Sequence, residues 1–214
     1  MTIKLFHHPF TRAANTVWAL EEVGCAYELQ VVADIQGEHK AALADLNPMG
    51  KLPTIVDGEV VVSEAAAIAL YLADRYAPGR LAPALDAPER ATYLRWAFYA
   101  PSVIEPGCMA HTNRWDYCPI SAGFGSYETM LDTISAAIGA GPWLLGERFT
   151  MADLVFGGTV QYMTMFGMLD KRPEYLAYAE RLAARPAAQR AQQINQRVSA
   201  EHGLTPPGEP QPSG

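Results

Sequence analysis

A change in pattern near residue 80 most constrains the fold of this chain. Before it, short β-type runs, the first at 3–6, alternate with helical runs such as 14–23. A stretch rich in proline and glycine follows at 77–88, and every later segment has the spacing typical of helices. Because such stretches mark domain boundaries, the sequence predicts an α/β domain over residues 1–80 and an all-helical domain over 87–200.

The first domain has the predicted order β-α-β-α-β-β-α. Asp57-Gly58 lies between two valine-rich runs and is the strongest hairpin signal in the chain. Gly24 is placed to end the first helix in a left-handed conformation. The predicted strands are 3–6, 27–32, 54–56 and 60–62, and the predicted helices are 14–23, 38–46 and 63–76.

The second domain is predicted to contain helices only. Its first helix starts at Glu89 and is expected to break at Pro101 and again at Pro106. Thr150 and Asp153 have the spacing of a capping box that opens a later helix. The remaining predicted helices are 127–140, 173–184 and one from Pro186, and the Pro/Gly/Ser-rich tail 205–214 is expected to be disordered.

Composition limits the partners that this chain is expected to bind. Of 214 residues, 50% are hydrophobic and the formal net charge is −7, which favours a globular protein and disfavours nucleic acid and anionic membranes. No apolar run approaches the length of a membrane span, and no secretory leader is recognisable. The three cysteines form no C-x-x-C pair, so we expect a cytoplasmic protein that binds a small molecule or another protein.

The residues that carry chemistry lie in two neighbouring motifs, N-P-M-G-K-L-P-T at 47–54 and S-E-A-A-A-I at 63–68. A cis Pro53 would turn the backbone of Leu52 outward, where it could pair with an extended, peptide-like ligand. Glu64 and Ala65 would open a helix whose free N–H groups hold a ligand carboxylate. The Glu64 side chain would hold a ligand amine.

With these motifs the chain resembles the cytosolic glutathione transferase superfamily over residues 3–198. A-L-E-E-V-G in the first helix and F-T-M-A-D-L in the second domain complete the resemblance, which is greatest to bacterial theta- or nu-like members with a reactive hydroxyl. The resemblance implies a thioredoxin-like N-terminal domain followed by an all-helical domain. It also implies a homodimer, a role in detoxification, and glutathione as co-substrate without a metal.

Residue by residue, the resemblance assigns distinct parts of glutathione to different positions. Leu52 pairs with the cysteinyl backbone, and Glu64 with Ala65 holds the γ-glutamyl end. The family commonly has Ser where this chain has Ala65, so one hydroxyl contact is lost, a difference of about 0.5–1.5 kcal/mol. The full set of glutathione contacts is Thr11, His39, Lys40, Lys51, Leu52, Pro53, Glu64 and Ala65.

Thr11 is the predicted activator of the glutathione thiol. The thiolate is the nucleophile, and a hydroxyl donor at a helix N-terminus would stabilise it. The alternative is that Thr11 only caps the first helix, and Asn15 is the reserve candidate for contact with the sulfur. His7 and His8 are interpreted as structural. The absence of cysteine at positions 9–13 argues against mixed-disulfide chemistry.

The leading hypothesis is an enzyme, a glutathione S-transferase that conjugates glutathione to hydrophobic electrophiles. Glutathione-dependent peroxide reduction or isomerisation needs the same thiolate and is an alternative within enzymes. A non-catalytic binding or regulatory protein on the same fold is the alternative from another class. The predicted contacts of the electrophile are Phe10, Tyr99, Met109, His111 and Trp115.

Overall fold

The computed structural model of the protein describes residues 2–35, 43–139 and 141–206. Its four strands form one mixed sheet in the order β2-β1-β3-β4. The first two strands are parallel, whereas β3 is antiparallel to both β1 and β4. The strands are β1 (Ile3–His7), β2 (Tyr27–Val31), β3 (Thr54–Asp57) and β4 (Val60–Ser63).

Among the described residues, α1 (Ala13–Val23) and α2 (Ala65–Tyr76) belong to the α/β part of the chain, and the elements after them are helices. This confirms the predicted fold class of a thioredoxin-like domain with an all-helical remainder. Of the predicted helix at 38–46, residues 38–42 lie outside the described residues, and 43–44 are helical. The helices are α1 (Ala13–Val23), α2 (Ala65–Tyr76), α3 (Glu89–Tyr99), α4 (Glu105–Thr112), α5 (Tyr127–Gly139), α6 (Met151–Met165), α7 (Pro173–Ala183) and α8 (Pro186–His202).

Strand β1 lies in the middle of the α/β layer. Its side chains alternate, with Ile3, Leu5 and His7 buried and Lys4 exposed. Helix α1 follows, and it ends as predicted at Gly24, which has a φ of 74° and whose N–H donates to a carbonyl in the last turn. The predicted Asp57-Gly58 hairpin is also confirmed.

In the all-helical part, α6 is buried on nearly all sides. The predicted capping box at its start is confirmed, because the Thr150 N–H donates to Asp153 Oδ2 at 2.8 Å. Phe156 in the middle of α6 meets Trp96 of α3 edge to face, with ring centroids 5.5 Å apart. Helix α6 is therefore the centre of the helical core.

The expected breaks at Pro101 and Pro106 are wrong. The chain passes from α3 into α4 through a π-helical segment, Ala100–Ile104, without leaving helical geometry. Each proline removes one N–H from this continuous helix, and the change to the π-helical pattern, in which the Glu105 N–H donates to the Ala100 carbonyl, accommodates the loss. Proline therefore marks a change of helical pitch here, and not an end.

Contacts divide the chain into two compact units that differ from the sequence-based division in the position of the boundary and in the assignment of α8. The first contains residues up to Leu72 together with those from Pro186 onward, and the second is Ala73–Arg185. Helix α8, which the sequence grouped with the helical domain, therefore packs within the first unit. There the Arg190 guanidinium contacts a Glu21 carboxylate oxygen of α1 at 2.6 Å. Residues 207–214 of the predicted tail lie outside the described residues.

Three further features bear on function. All three cysteines are free thiols. Within the described ranges, no helix has the length and apolar character required to cross a membrane. The same residues contain no group of three or more His, Cys, Asp or Glu side chains that could hold a metal ion.

Candidate functional site

The turn after β1 carries the predicted activator. Pro9 favours the second position of a β-turn because its ring presets φ. The Thr11 N–H closes that turn by donating to the His8 carbonyl at 3.1 Å, and α1 begins two residues later at Ala13. The sequence therefore places a half-buried threonine at the mouth of a helix.

The hydroxyl of Thr11 makes two hydrogen bonds. It donates to the His8 carbonyl at 2.8 Å and accepts the Ala13 N–H at 3.2 Å. The hydroxyl proton would reach an anion at the helix start only by leaving the His8 carbonyl, and the oxygen could continue to accept the Ala13 N–H meanwhile. Thr11 thus satisfies a donor of the first helical turn, as the capping interpretation predicts, and the two roles are compatible.

Asn15, the reserve candidate, lies one turn further along the chain. It is the third residue of α1, is half-buried, and its N–H donates to the Arg12 carbonyl at 3.2 Å. Because it lies inside the helix, its amide is less favourably placed than the Thr11 hydroxyl to meet a ligand at the helix terminus. The assignment of thiol activation to either residue stays a prediction.

His7 and His8 are both buried, as expected for structural residues. Burial and the neighbouring His8 lower the pKa of His7 to about 4. Neither ring nitrogen of His7 has a hydrogen-bond partner among the described residues. Burial also lowers the pKa of His8, whose Nδ1 accepts the Phe10 N–H at 3.2 Å. Both imidazoles are therefore neutral near pH 7.

We expect His7 to make the fold sensitive to acid. Its pKa is 6.5 in the unfolded chain and about 4 in the folded one, so the unfolded state binds the extra proton between these values. The free energy of unfolding should therefore fall by about 3 kcal/mol as pH drops from 6.5 to 4. In His7→Leu this contribution should be absent, as measured by urea unfolding at each pH.

The matched control for this experiment is His202→Gln, which changes an exposed histidine. It should follow the wild-type dependence on pH. Equal slopes for His7→Leu and wild type would contradict the assignment of the acid sensitivity to His7.

The loop before β3 is organised by Asn47, a buried residue whose role the sequence analysis missed. Its Nδ2 donates to the Lys51 carbonyl at 3.0 Å and to Thr54 Oγ1 at 3.3 Å. Its Oδ1 accepts the Met49 N–H at 3.1 Å. The signal was present, since an Asn-Pro pair is typical of turns whose side chain bonds its own backbone.

This loop presents the Leu52 backbone. The Leu52-Pro53 peptide bond is cis, the form that the sequence analysis considered for a proline directly before a strand. Within the described part of the chain, the N–H and C=O of Leu52 have no hydrogen-bond partner. Leu52 is half-buried and Lys51 is exposed. The backbone of Leu52 is therefore available to an extended ligand, as expected.

The start of α2 supplies a second group of unused donors. Its first helical hydrogen bond runs from the Ile68 N–H to the Glu64 carbonyl at 2.9 Å. Among the described residues, the N–H groups of Ala65, Ala66 and Ala67 find no acceptor. Glu64 itself is exposed and has a φ of 70°, a left-handed conformation that is uncommon for glutamate. Such conformations concentrate at ligand sites.

The register of the sheet brings the Thr11 turn, the Leu52 backbone and the start of α2 to the same end of the sheet. Phe6 of β1 is paired with Thr54 of β3, and Thr54 is paired with Ser63 of β4. The Thr11 turn follows β1, Leu52 precedes β3, and Glu64 follows β4, so all three leave the sheet at the same end. Adjacent strands lie about 4.8 Å apart, which makes the row about 10 Å wide. That width matches an extended tripeptide.

The structure describes the other predicted ligand contacts only in part. His39 and Lys40 lie outside the described residues. In the first unit, the ring of Phe10 lies 5.9 Å from that of His8. In the second unit, Tyr99 packs against Trp96 and Phe156, and His111 stacks on Tyr127 with ring centroids 3.6 Å apart.

Met109 and Trp115, the other two predicted electrophile contacts, are 39% and 53% exposed. The Trp115 N–H donates to the Ala110 carbonyl at 2.9 Å, just after α4 ends. Both are therefore available to a ligand, whereas Tyr99 forms part of an aromatic cluster. Contact of these residues with an electrophile stays a prediction.

Comparison with known proteins identifies relatives of both units. Residues 1–74 match the model of the glutathione S-transferase N-terminal domain, and residues 110–189 match the glutathione S-transferase C-terminal domain. Glutathione S-transferase 1 of Triticum aestivum is 30% identical, with 88% of this chain and 92% of the relative covered.

Two solved structures extend the comparison. A glutathione transferase from Methylococcus capsulatus is 29% identical with a TM-score of 0.74, covering 92% of this chain and all of that one. The theta class glutathione S-transferase from Xanthomonas axonopodis pv. citri, solved with glutathione bound, is 31% identical with a TM-score of 0.68. That match covers 89% of this chain and 96% of the relative.

Proposed function

The chain belongs to the glutathione S-transferase family of enzymes, and we propose that it conjugates the thiolate of glutathione to hydrophobic electrophiles. The observation that carries this proposal is the row formed by the Thr11 turn, the Leu52 backbone and Glu64 at one edge of the sheet. A similar structure with glutathione bound supports the choice of ligand.

The order of groups along the row matches the order of groups in glutathione. The hydroxyl of Thr11 and the backbone of Leu52 lie over adjacent strands, β1 and β3, where the cysteinyl residue would sit. Glu64 and the free N–H groups of α2 lie beyond β4, where the α-amine and α-carboxylate of the γ-glutamyl end would sit. Lys51, which is exposed, would face the glycine carboxylate, together with the predicted His39 and Lys40.

In this mechanism the protein binds the thiol as its anion. Thr11 turns its proton from the His8 carbonyl to the sulfur while it continues to accept the Ala13 N–H. A hydrogen bond to a charged acceptor contributes about 1.5–3 kcal/mol, which lowers the pKa of the thiol by about 1–2. The thiol proton passes to solvent, and the thiolate attacks an electrophile that is held close to it, forming a carbon–sulfur bond. In substitution the leaving group departs with its bonding electron pair; in addition the π electron pair moves to the neighbouring carbon, which takes a proton from water.

We expect Thr11→Val to raise the pKa of the bound glutathione thiol by about 1–2, toward 8.5, because the isosteric side chain has no donor. Thiolate absorbance in the ultraviolet, titrated against pH, measures this directly. Conjugation of a chloronitrobenzene should fall about tenfold at pH 6, because fewer thiols are ionised and only part of that loss is offset by higher nucleophilicity. The two proteins should converge near pH 9.

Thr11→Ser keeps the donor and is the matched control, which should titrate like wild type. An unchanged titration in Thr11→Val, with a raised thiol pKa in Asn15→Ala, would move the role to Asn15. A wild-type protein that neither binds immobilised glutathione nor conjugates it would contradict the proposed function itself.

The electrophile contacts and the setting of the enzyme also belong to this proposal. Met109, His111 and Trp115 border the end of α4, and Phe10 precedes Thr11; exposed apolar and aromatic groups suit a hydrophobic substrate. Tyr99 is the fifth predicted contact. The family resemblance further favours a cytoplasmic homodimer that acts in detoxification.

A further inference from the structure

His8 has two separate connections to the turn that carries the Thr11 hydroxyl. Its carbonyl accepts both the N–H and the hydroxyl of Thr11, at 3.1 and 2.8 Å. Its side-chain Nδ1 accepts the Phe10 N–H at 3.2 Å. The residue is 4% exposed, and its ring lies 5.9 Å from that of Phe10. His8 therefore accepts hydrogen bonds from both Phe10 and Thr11, the two residues that follow Pro9.

We propose that His8 is a positioning residue whose Nδ1 holds the turn in the form that places the Thr11 hydroxyl at the glutathione sulfur. This rests on the proposed function, in which Thr11 activates the thiol. The two backbone groups inside the turn are the Pro9 nitrogen, which has no hydrogen, and the Phe10 N–H. The turn has one internal donor, and His8 Nδ1 is its acceptor.

The hydrogen bond also sets the chemical form of the imidazole. Because the Phe10 N–H points at Nδ1, that nitrogen must be unprotonated, and the neutral ring carries its hydrogen on Nε2. Burial disfavours the charged ring in the same direction. The neutral form that the acceptor role needs is therefore the form that the surroundings favour.

The role of His8 differs from that of a core histidine such as His7. The His7 residue is fully buried, and neither of its ring nitrogens makes a hydrogen bond of good geometry to the turn at residues 8–11. In contrast, the ring of His8 accepts a hydrogen bond from the Phe10 N–H, in the turn that carries Thr11. Without that bond, only the bonds to the His8 carbonyl hold the turn, so the Phe10 peptide is less restrained and the Thr11 oxygen is positioned less precisely.

Two substitutions separate the acceptor from the rest of the side chain. In asparagine, Oδ1 lies the same number of bonds from Cα as histidine Nδ1, and asparagine readily accepts an N–H two residues ahead. In glutamine, the amide lies one bond further and corresponds to the position of Nε2. His8→Asn therefore keeps the acceptor, and His8→Gln removes it from its place.

We expect His8→Gln to lower kcat for conjugation about tenfold, the effect of losing one hydrogen bond. The pKa of the bound glutathione thiol should rise with it, whereas KM for glutathione should change little, because Leu52 and Glu64 are intact. His8→Asn should restore kcat and the thiol pKa. Hydrogen exchange at the Phe10 amide should be fast in His8→Gln and slow in His8→Asn and wild type.

The other outcomes would overturn either the positioning role of His8 or the proposed function. Wild-type kcat and thiol pKa in His8→Gln would overturn the positioning role and leave the proposed function standing. Equal losses in His8→Gln and His8→Asn, with Phe10 protected in His8→Asn, would show that the acceptor is irrelevant to catalysis. A wild-type protein that does not ionise bound glutathione would remove the proposed function and this inference with it.

Discussion

Asp153→Ala is expected to lower the free energy of unfolding by about 3–5 kcal/mol, the largest loss of stability from any single change proposed for this protein. The carboxylate is fully buried and accepts four hydrogen bonds. Oδ2 binds the N–H and hydroxyl of Thr150, and Oδ1 binds the Leu144 N–H at 2.7 Å and the Tyr178 hydroxyl at 2.8 Å. Alanine leaves these donors buried without an acceptor.

The size of the effect follows from the cost of unpaired donors. Each buried donor left without a partner costs about 1–3 kcal/mol, and the members of one network are lost together. For a chain of this length, 1 kcal/mol corresponds to about 2–4 °C in Tm, so melting should occur about 6–20 °C below wild type. Calorimetry or thermal unfolding followed by circular dichroism measures the shift.

Asp132→Ala is the matched control. Asp132 is also bonded to a neighbour, the Arg172 guanidinium at 3.1 Å, but its side chain is 77% exposed. An exposed ion pair contributes at most about 1 kcal/mol, so this variant should melt within a few degrees of wild type. Equal Tm values for Asp153→Ala and Asp132→Ala would contradict the assignment of Asp153 as the centre of a buried network.

The Asp153 network shows which part of the fold can be predicted from sequence. The capping box between Thr150 and Asp153 is local, with a fixed spacing, and was predicted correctly. The bonds to Leu144 and Tyr178 join segments that are remote in sequence, and no periodicity reports them. The same holds for α8, whose Asn195 Nδ2 reaches the Ala14 carbonyl at 3.4 Å.

The candidate site also combines features that can be predicted from local sequence with features that depend on the folded chain. The helix start after Glu64 lies in a local motif and was predicted, and the cis bond at Leu52-Pro53 is a conformation that the local motif allows. The register that aligns the Thr11 turn, Leu52 and Glu64 is a property of strand pairing, which the sequence does not specify directly. Asn47 was missed as an organiser because its acceptor and donor partners become close only after the loop has folded.

The largest loss of glutathione affinity is expected from Glu64→Gln. In the proposed complex the carboxylate accepts a hydrogen bond from the α-amine of the γ-glutamyl residue, and such charge-assisted bonds contribute about 1.5–3 kcal/mol. Removing the charge while keeping the shape should therefore weaken binding about 10–100-fold. Isothermal titration calorimetry with glutathione measures the Kd, and retention on immobilised glutathione gives a second readout.

Glu59→Gln is the control, because it removes the same charge from an exposed residue in the β3–β4 hairpin, at the opposite end of the sheet. It should bind glutathione like wild type. Equal affinities for Glu64→Gln and Glu59→Gln would contradict the proposed orientation of the ligand along the row.

The left-handed backbone of Glu64 allows a further separation of binding from stability. Glycine adopts a φ of 70° without the steric conflict that a Cβ introduces, so Glu64→Gly should be at least as stable as wild type. It should nevertheless lose glutathione affinity as Glu64→Gln does, because the carboxylate is gone. A role in binding glutathione explains why this position has a glutamate although the conformation costs stability. A Glu64→Gly protein that binds glutathione normally would contradict that explanation.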